Sequence, residues 1–286
     1  MASILDRYGI KEVADVTFYT IDESGKPKTP VLYLDTLKVS TIEQTAESSD
    51  ARGGKGNPKL ISWDYGKEIN VTIEDALFSS KSMAIMFGNG NVSQGKKTVN
   101  KIAVLRVDEN GKLPATFVAD VYDSTTGGSK RVKVRMDSNT PASDEIAFDA
   151  KLLTLGVLTS EAGVQIDDKL ESTEWSTINL NEYKGQKVFL TYTVQANAKT
   201  ITISGDSFPG TYYVVGDTYA RSDIDGSDQF FQFVIPKAKV TSENTITLEA
   251  EGDPSTFSMS LTVLRSESGE MMQLVQYDLA APAQNQ

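Results

Sequence analysis

The clearest pattern in the chain is an alternation of apolar and polar residues between Ile61 and Ile73. The apolar set, which would share one face of a strand, consists of Ile61, Trp63, Tyr65, Ile69, Val71 and Ile73. An alternation of period two over this length predicts a β-strand with one buried and one solvated face. Lys67 interrupts the apolar set beside Gly66, so the pattern also indicates a bulge or a bend at that point.

Shorter runs of strand-forming residues fill most of the remaining chain, and turn dipeptides such as Asn110-Gly111 separate them. The sequence predicts a first strand at 13–20, a second at 31–43, and a polar loop at 45–58 that ends in glycines and a proline. This pattern is typical of a mostly β fold, an antiparallel β-sandwich or barrel with one short flanking α-helix and a long extended loop.

The helix is predicted at residues 79–87, SSKSMAIMF. Ser79 or Ser80 can cap its N-terminus, and Gly88 suits a left-handed position at its C-terminus. The whole chain, 1–286, is predicted to form a single β domain. Its last residues, 280–286, are small and polar, and we expect them to be a mobile tail.

Composition narrows the function. The chain carries 28 basic and 39 acidic residues and a net charge of −11, which disfavours tight binding to nucleic acid. It contains no histidine and no cysteine, so the commonest general base, thiolate nucleophile and transition-metal ligands are missing. We therefore expect no enzymatic activity and no cofactor or metal. No apolar window is long enough for a membrane span, and no secretory signal is expected at the N-terminus.

A basic, glycine-rich loop precedes the alternating strand, within the string ARGGKGNPK. Its candidate residues are Arg52, Gly53, Gly54, Lys55, Gly56 and Lys59. A phosphate-binding loop would need a helix directly afterwards, whereas here a strand follows. We interpret the segment as a flexible basic arm that docks against an acidic patch of an identical neighbour, with an ordinary solvated hairpin loop as the alternative.

Two groups of acidic residues also have a catalytic or metal-binding interpretation. Asp64 and Glu68 are predicted to share the polar face of one strand, and paired carboxylates can hydrolyse glycosides. Three aspartates around Gly226, namely Asp223, Asp225 and Asp228, could ligate Ca²⁺, although they lack the rest of a calcium loop. A solvated sheet face and an acidic hairpin turn are the simpler interpretations of the two groups.

Two blocks of specific residues point to a family. The first contains the RGGKGNP loop, the ISWDYGK strand and the EDALFS entry to the helix. The second, from about 200 to 278, contains FPGTYYVVGDTYARS, DQFFQFVIPKAKV, ENTITLEAEGDPSTFSMSLTVLR and MMQLVQYD. Together they resemble the tail tube proteins of long-tailed bacteriophages, especially contractile-tailed phages with large genomes. Residues 106–175 fit this resemblance poorly, and we interpret them as an elaboration of the domain or an insertion within it.

The resemblance implies two packed antiparallel sheets, with six copies forming a ring and rings stacking into a tube through which the genome is ejected. It implies that the 52–59 loop reaches into an adjacent ring. The implied partners are further copies of the chain, tail sheath and baseplate proteins, and genomic DNA that passes without specific binding. The implied location is the virion tail, after synthesis in the host cytoplasm.

Three other functions stay open at this point. They are a baseplate or tail-end ring of the same fold, a carbohydrate-binding or adhesion sandwich, and a polysaccharide depolymerase.

For a tube, the acidic and neutral faces of alternating strands are candidates to line the lumen. The acidic candidates are Asp64, Glu68, Glu249 and Glu251, and the neutral ones are Thr245, Thr247, Ser258 and Ser260.

Overall fold

A computed structural model describes residues 7–10, 12–88, 90–123, 128–223, 226–242 and 256–277. It is mostly β, with 58% strand and 4% helix, in agreement with the predicted fold class. The elements in chain order are β1 (Tyr8–Ile10), β2 (Asp15–Ile21), β3 (Pro27–Leu34), β4 (Leu37–Arg52), β5 (Lys59–Asp75), α1 (Ser80–Phe87), β6 (Ser93–Arg106), β7 (Thr116–Asp123), β8 (Gly128–Arg135), β9 (Glu145–Ala147), β10 (Leu153–Ser160), β11 (Gln165–Asp167), a 3₁₀ turn (Asn181–Tyr183), β12 (Lys187–Thr200), β13 (Thr211–Ser222), β14 (Asp228–Val240), β15 (Phe257–Val263) and β16 (Gln273–Tyr277).

The chain divides into two compact units. Unit 1 combines Met1–Val92 with Ile201–Gln286, and unit 2 is the intervening segment Ser93–Thr200. The sequence interpretation treated 1–286 as one domain that 106–175 elaborates. Unit 2 contains that range and extends beyond it at both ends.

Unit 1 is built on a nine-stranded antiparallel sheet with the order β3-β2-β13-β14-β15-β5-β4. The two remaining strands flank this path, β1 beside β13 and β16 beside β14. Alternate residues of these strands point into one core, whose largest fully buried members include Phe18, Ile73, Ile235, Phe257 and Met259. The core is the inward face that the period-two pattern predicts.

Two sequence predictions for residues 31–58 are wrong. The single predicted strand at 31–43 is two strands, with Asp35 and Thr36 between β3 and β4. The predicted polar loop at 45–58 is also wrong, because β4 continues to Arg52 and only residues 53–58 connect it to β5. The prediction failed because both faces of this part of β4 are exposed and polar. A strand with no buried face shows no alternation of apolar and polar residues.

The hairpin of β4 and β5 extends beyond the rest of the sheet. Among the described residues, β15 pairs with β5 only from Asn70 to Asp75, and nearer the hairpin tip β5 is hydrogen-bonded to β4 alone. We call residues 47–65 the arm. At about 3.3 Å per residue, the unsupported part of β5 is roughly 35 Å long.

The predicted bulge at Gly66 is confirmed, and it changes which residues share a face. Thr45 pairs with Glu68 and Glu47 with Tyr65. One residue of β4 therefore lies opposite two residues of β5, Gly66 and Lys67. Gly66 has φ +62°, a left-handed conformation that glycine adopts without steric cost. The extra residue inverts the alternation, so residues on either side of it that were predicted to share a face lie on opposite faces.

The helix begins and is capped as predicted. Ser79 is the N-cap, and its hydroxyl accepts a hydrogen bond from the Ser82 backbone nitrogen. The Ser82 hydroxyl in turn accepts a hydrogen bond from the Ser79 backbone nitrogen. The left-handed ending is wrong, since Gly88 is extended with φ −160°. No helix in the described ranges combines the length and the apolar character needed to cross a membrane.

Unit 2 contains two smaller sheets. One has the order β11-β10-β12-β6, and the other has the order β7-β8-β9, in which β8 and β9 run parallel. They share a core that includes Phe117, Trp175 and Tyr192, with the Trp175 indole donating to the Pro114 carbonyl at 2.9 Å. This core is separate from that of unit 1.

Gly216 provides a test of core packing in unit 1. It lies on β13 opposite Phe233 of β14, and a Cβ atom placed on Gly216 would come within 2.2 Å of the Phe233 ring. The ring is buried and has little room to move. We expect Gly216→Ala to destabilise the fold by about 1–3 kcal/mol, measured by urea unfolding.

The matched control is Gly205→Ala, because Gly205 has no atom within 4 Å of the added Cβ. That change should alter the free energy of unfolding by less than about 1 kcal/mol. Equal effects of the two substitutions would contradict the packing of Phe233 over Gly216.

Candidate functional site

The arm exposes an apolar face. The side chains of Ile61, Trp63 and Tyr65 are 53%, 56% and 54% exposed, whereas Trp175 in the core of unit 2 is 3% exposed. The three residues pair with Ala51, Ser49 and Glu47 of β4 and lie on the same face as Glu68, away from the core. Contiguous apolar groups exposed in this way mark an interaction surface.

The predicted basic loop forms the tip of the arm. Arg52 ends β4, Lys59 begins β5, and Gly53, Gly54, Lys55 and Gly56 lie between them. Two backbone hydrogen bonds close the turn, from the Gly53 nitrogen to the Pro58 oxygen and from the Asn57 nitrogen to the Gly54 oxygen. Gly54 and Gly56 have φ near +85°, so the turn geometry requires glycine there.

Asp50 neutralises part of the charge of the tip, which the sequence interpretation missed. Its carboxylate lies 2.7 Å from the Lys59 ammonium and 3.4 Å from the Arg52 guanidinium, and it accepts a hydrogen bond from the Ser62 hydroxyl. The hydrogen bond from Lys59, followed by that from Ser62, lowers the pKa of Asp50 below its ordinary value. The signal was available, because a strand that reaches Arg52 would have placed Asp50 opposite Ser62.

Lys55 differs from the other two cations of the tip. It is exposed and forms no ion pair with any residue that the structure describes. It is therefore the cation of this loop best placed to bind a carboxylate of another molecule.

The predicted pair of carboxylates is separated by the bulge. Asp64 pairs with Ser48 and Glu68 with Thr45, and positions three apart on β4 face opposite sides of the hairpin. The prediction that Asp64 and Glu68 share a face is therefore wrong. The other acidic lumen candidates, Glu249 and Glu251, lie outside the described residues together with Thr245 and Thr247, and so do Asp225 and the tail at 280–286.

Glu68 borders a concave polar surface that the sequence interpretation identified only in part. Thr72 pairs with Ser260, and Asn70 accepts a hydrogen bond of 3.1 Å from the Thr262 hydroxyl. The concavity measures about 680 Å³ and is lined by Asn70, Thr72, Lys239, Thr241, Ser242, Ser260, Thr262 and Leu264. Ser258 continues this face opposite Glu74. The surface is rich in hydroxyl groups and carries one cation.

A second part of the same sheet concentrates negative charge. Asp15 and Asp217 are direct cross-strand neighbours. Two like charges placed opposite each other in this way destabilise a sheet. The Tyr33 hydroxyl donates to Asp15 at 3.2 Å, and this hydrogen bond together with the negative charge of Asp15 raises the pKa of Tyr33. Among the described residues, no cluster of acidic side chains has the arrangement of a metal site.

The ion pairs of the tip lead to a prediction about the pKa of Asp50. Replacing Lys59 by Met should raise the pKa of Asp50 towards the ordinary aspartate value of about 3.9, because the largest cause of its lowering is removed. The measurement is the carboxyl ¹³C chemical shift of Asp50 against pH. Lys55→Met, which removes the same charge without touching Asp50, should leave the midpoint unchanged, and equal midpoints in the two variants would contradict the geometry.

The family relationship follows from two matches along the chain. Residues 8–151 and residues 147–275 both match the profile of the YomU/Tube protein family, and together they account for well over half of the sequence. No curated protein matches the chain at a significant level. The β-rich fold agrees with the family assignment. The chain therefore belongs to the YomU/Tube protein family and is a tube-like structural component of a phage virion.

Proposed function

We propose that this protein assembles into hexameric rings that stack to form the tail tube of a long-tailed, contractile-tailed phage, the conduit for genome ejection. The observation that carries the proposal is the arm. A two-stranded hairpin is at best marginally stable in water by itself, and this one leaves a row of apolar side chains exposed. A neighbouring subunit that covers the row would stabilise both the arm and the contact.

The tip of the arm supports the same role. Lys55 carries a charge that no described residue neutralises, on a chain whose net charge is −11. Binding of Lys55 to an acidic patch of an adjacent subunit would offset part of the repulsion between copies. Ring closure would also pair the strand edges at β3 and β4, which are otherwise templates for uncontrolled association.

The polar face that includes Glu68 and Ser260 is the proposed lining of the lumen. Hydroxyl groups with few cations offer DNA phosphates little attraction, and Glu68 and Glu74 at its ends repel them. Asp64 is on the opposite side of the arm from Glu68 and is a weaker candidate for this lining. DNA would pass such a surface without specific binding.

The proposal also covers the other partner proteins and the absence of catalytic activity. Sheath and baseplate proteins would contact the outside and the end of the tube, and the subunit would be made in the host cytoplasm. We propose no catalytic activity and no cofactor, since the chain has no histidine or cysteine. Asp64 and Glu68, on opposite faces, do not form the carboxylate pair of a glycosidase.

Assembly should be visible directly. We expect the purified protein to form rings of six subunits and tubes in negative-stain images, and Trp63 to become buried as they form. The fluorescence difference between the wild-type chain and Trp63→Phe isolates Trp63, whose emission should shift to shorter wavelength on assembly. A monodisperse monomer at high protein concentration, under every salt condition, would contradict the proposal.

The apolar face of the arm can be tested with a matched pair of variants. Trp63→Lys introduces a charge into the apolar row, whereas Ser48→Lys introduces the same charge on the opposite face, beside Asp64. We expect the first to slow tube growth by about tenfold or more, since desolvating an unpaired charge in an interface is costly. The second should grow tubes normally. Normal growth of both variants would show that the apolar row is not a contact.

A further inference from the structure

Unit 2 begins and ends in a two-stranded ribbon. Ser93 pairs with Thr200, and the pairing continues residue by residue to Arg106 and Lys187. β10 covers β12 only up to Val194, so residues 93–98 and 195–200 are bonded to each other and to no further strand in the described part of the chain. We call these two segments the basic ribbon.

The ribbon carries positive charge without any compensation. β6 and β12 together contain six cations and no acidic residue, and three of the cations, Lys96, Lys97 and Lys199, lie in the ribbon. None of these three enters an ion pair with a described residue. Three of the four cations of β8 behave differently, because Arg131, Lys133 and Arg135 have carboxylate partners.

One face of the ribbon concentrates this charge. Lys96 is opposite Asn197 and Lys199 is opposite Gln94, so the two lysines are diagonal neighbours on the same face. Between them Gly95 and Ala198 leave a shallow recess of about 470 Å³. Two ammonium groups and two amide side chains around a recess form a surface that suits carboxylates.

The charge of the chain is divided unevenly between its two units. Residues 93–200 contain 14 basic and 14 acidic residues, so unit 1 carries the entire net charge of −11. Copies of unit 1 must repel one another when they stack, and at the tip of the arm only Lys55 is available to offset this, because Asp50 pairs with both Arg52 and Lys59. The ribbon is the larger source of free positive charge.

We propose that the basic ribbon of one copy binds an acidic surface of unit 1 in a second copy, with Lys96 and Lys199 contacting carboxylates there. This inference rests on the proposed assembly and names a contact within it. The contact would also stabilise the ribbon, whose glycine, alanine and asparagine residues are poor strand formers.

Crosslinking identifies the contact directly. Tubes grown from a mixture of ¹⁴N- and ¹⁵N-labelled chains are treated with a carbodiimide, which joins a lysine to a carboxylate in contact with it. We expect mixed-isotope peptides that join Lys96 or Lys199 to an aspartate or glutamate of unit 1. Crosslinks from these lysines that are confined to single copies, or none at all, would overturn the proposal.

A pair of charge-reversal variants tests the energetic role. Lys96→Glu combined with Lys199→Glu should slow elongation by roughly tenfold or more at low salt, because electrostatic attraction raises association rates by at least that factor. The matched control is Lys112→Glu with Lys151→Glu, two exposed lysines of unit 2 outside the ribbon, which changes the net charge equally. Thermal unfolding confirms that both variants are folded.

The outcomes separate this inference from the proposed function. If the wild-type chain forms tubes and both variants elongate at the wild-type rate, the ribbon contact is wrong and the tube proposal stands. If the wild-type chain forms neither rings nor tubes, the tube proposal is wrong, and crosslinking at high concentration still decides whether the ribbon binds unit 1. A ribbon variant that assembles normally but loses binding to inorganic polyphosphate would assign the surface to a polyanion instead.

Discussion

The strict alternation of side chains along a β-strand is the constraint on which the candidate site depends. β5 is one continuous strand from Lys59 to Asp75, and half of its length contributes Ile69, Val71 and Ile73 to the core of unit 1. Without an irregularity, the apolar residues nearer the tip would continue that same face. The extra residue at Gly66 redirects them to the opposite face, where no described residue buries them.

This local change converts a structural strand into a strand with two roles. The inner half holds the sheet together through regular pairing with β15, and the outer half offers backbone bonding to β4 alone. Bulges are common where a protein needs to re-aim side chains. Here the re-aimed side chains include Trp63 and Tyr65, residue types that contribute strongly to contacts between proteins.

Much of the fold follows from sequence, and the failures have a shared physical origin. The period-two pattern predicts the buried face of unit 1 and the bulge at Gly66, and the serine cap predicts the start of α1. The outer part of β4 was assigned to a loop because its side chains are exposed on both faces, which removes the signal that periodicity detects. The inverted face was missed because it depends on the register between two strands, which neither strand alone encodes. The pairing of Asp50 was missed because the residues around it were assigned to a loop.

The basic ribbon has a consequence for how such a chain can change over time. Its first and last residues, Ser93 and Thr200, are cross-strand partners, so the two points at which the chain leaves and re-enters unit 1 are about 5 Å apart. A single residue can bridge that distance, and loss or exchange of the whole of unit 2 would leave every strand of unit 1 with its present neighbours. Because residues 93–200 carry no net charge, loss of unit 2 would also leave the total charge of each subunit unaltered. The inserted segment can thus be replaced as a complete module while the strands of unit 1 keep their present partners.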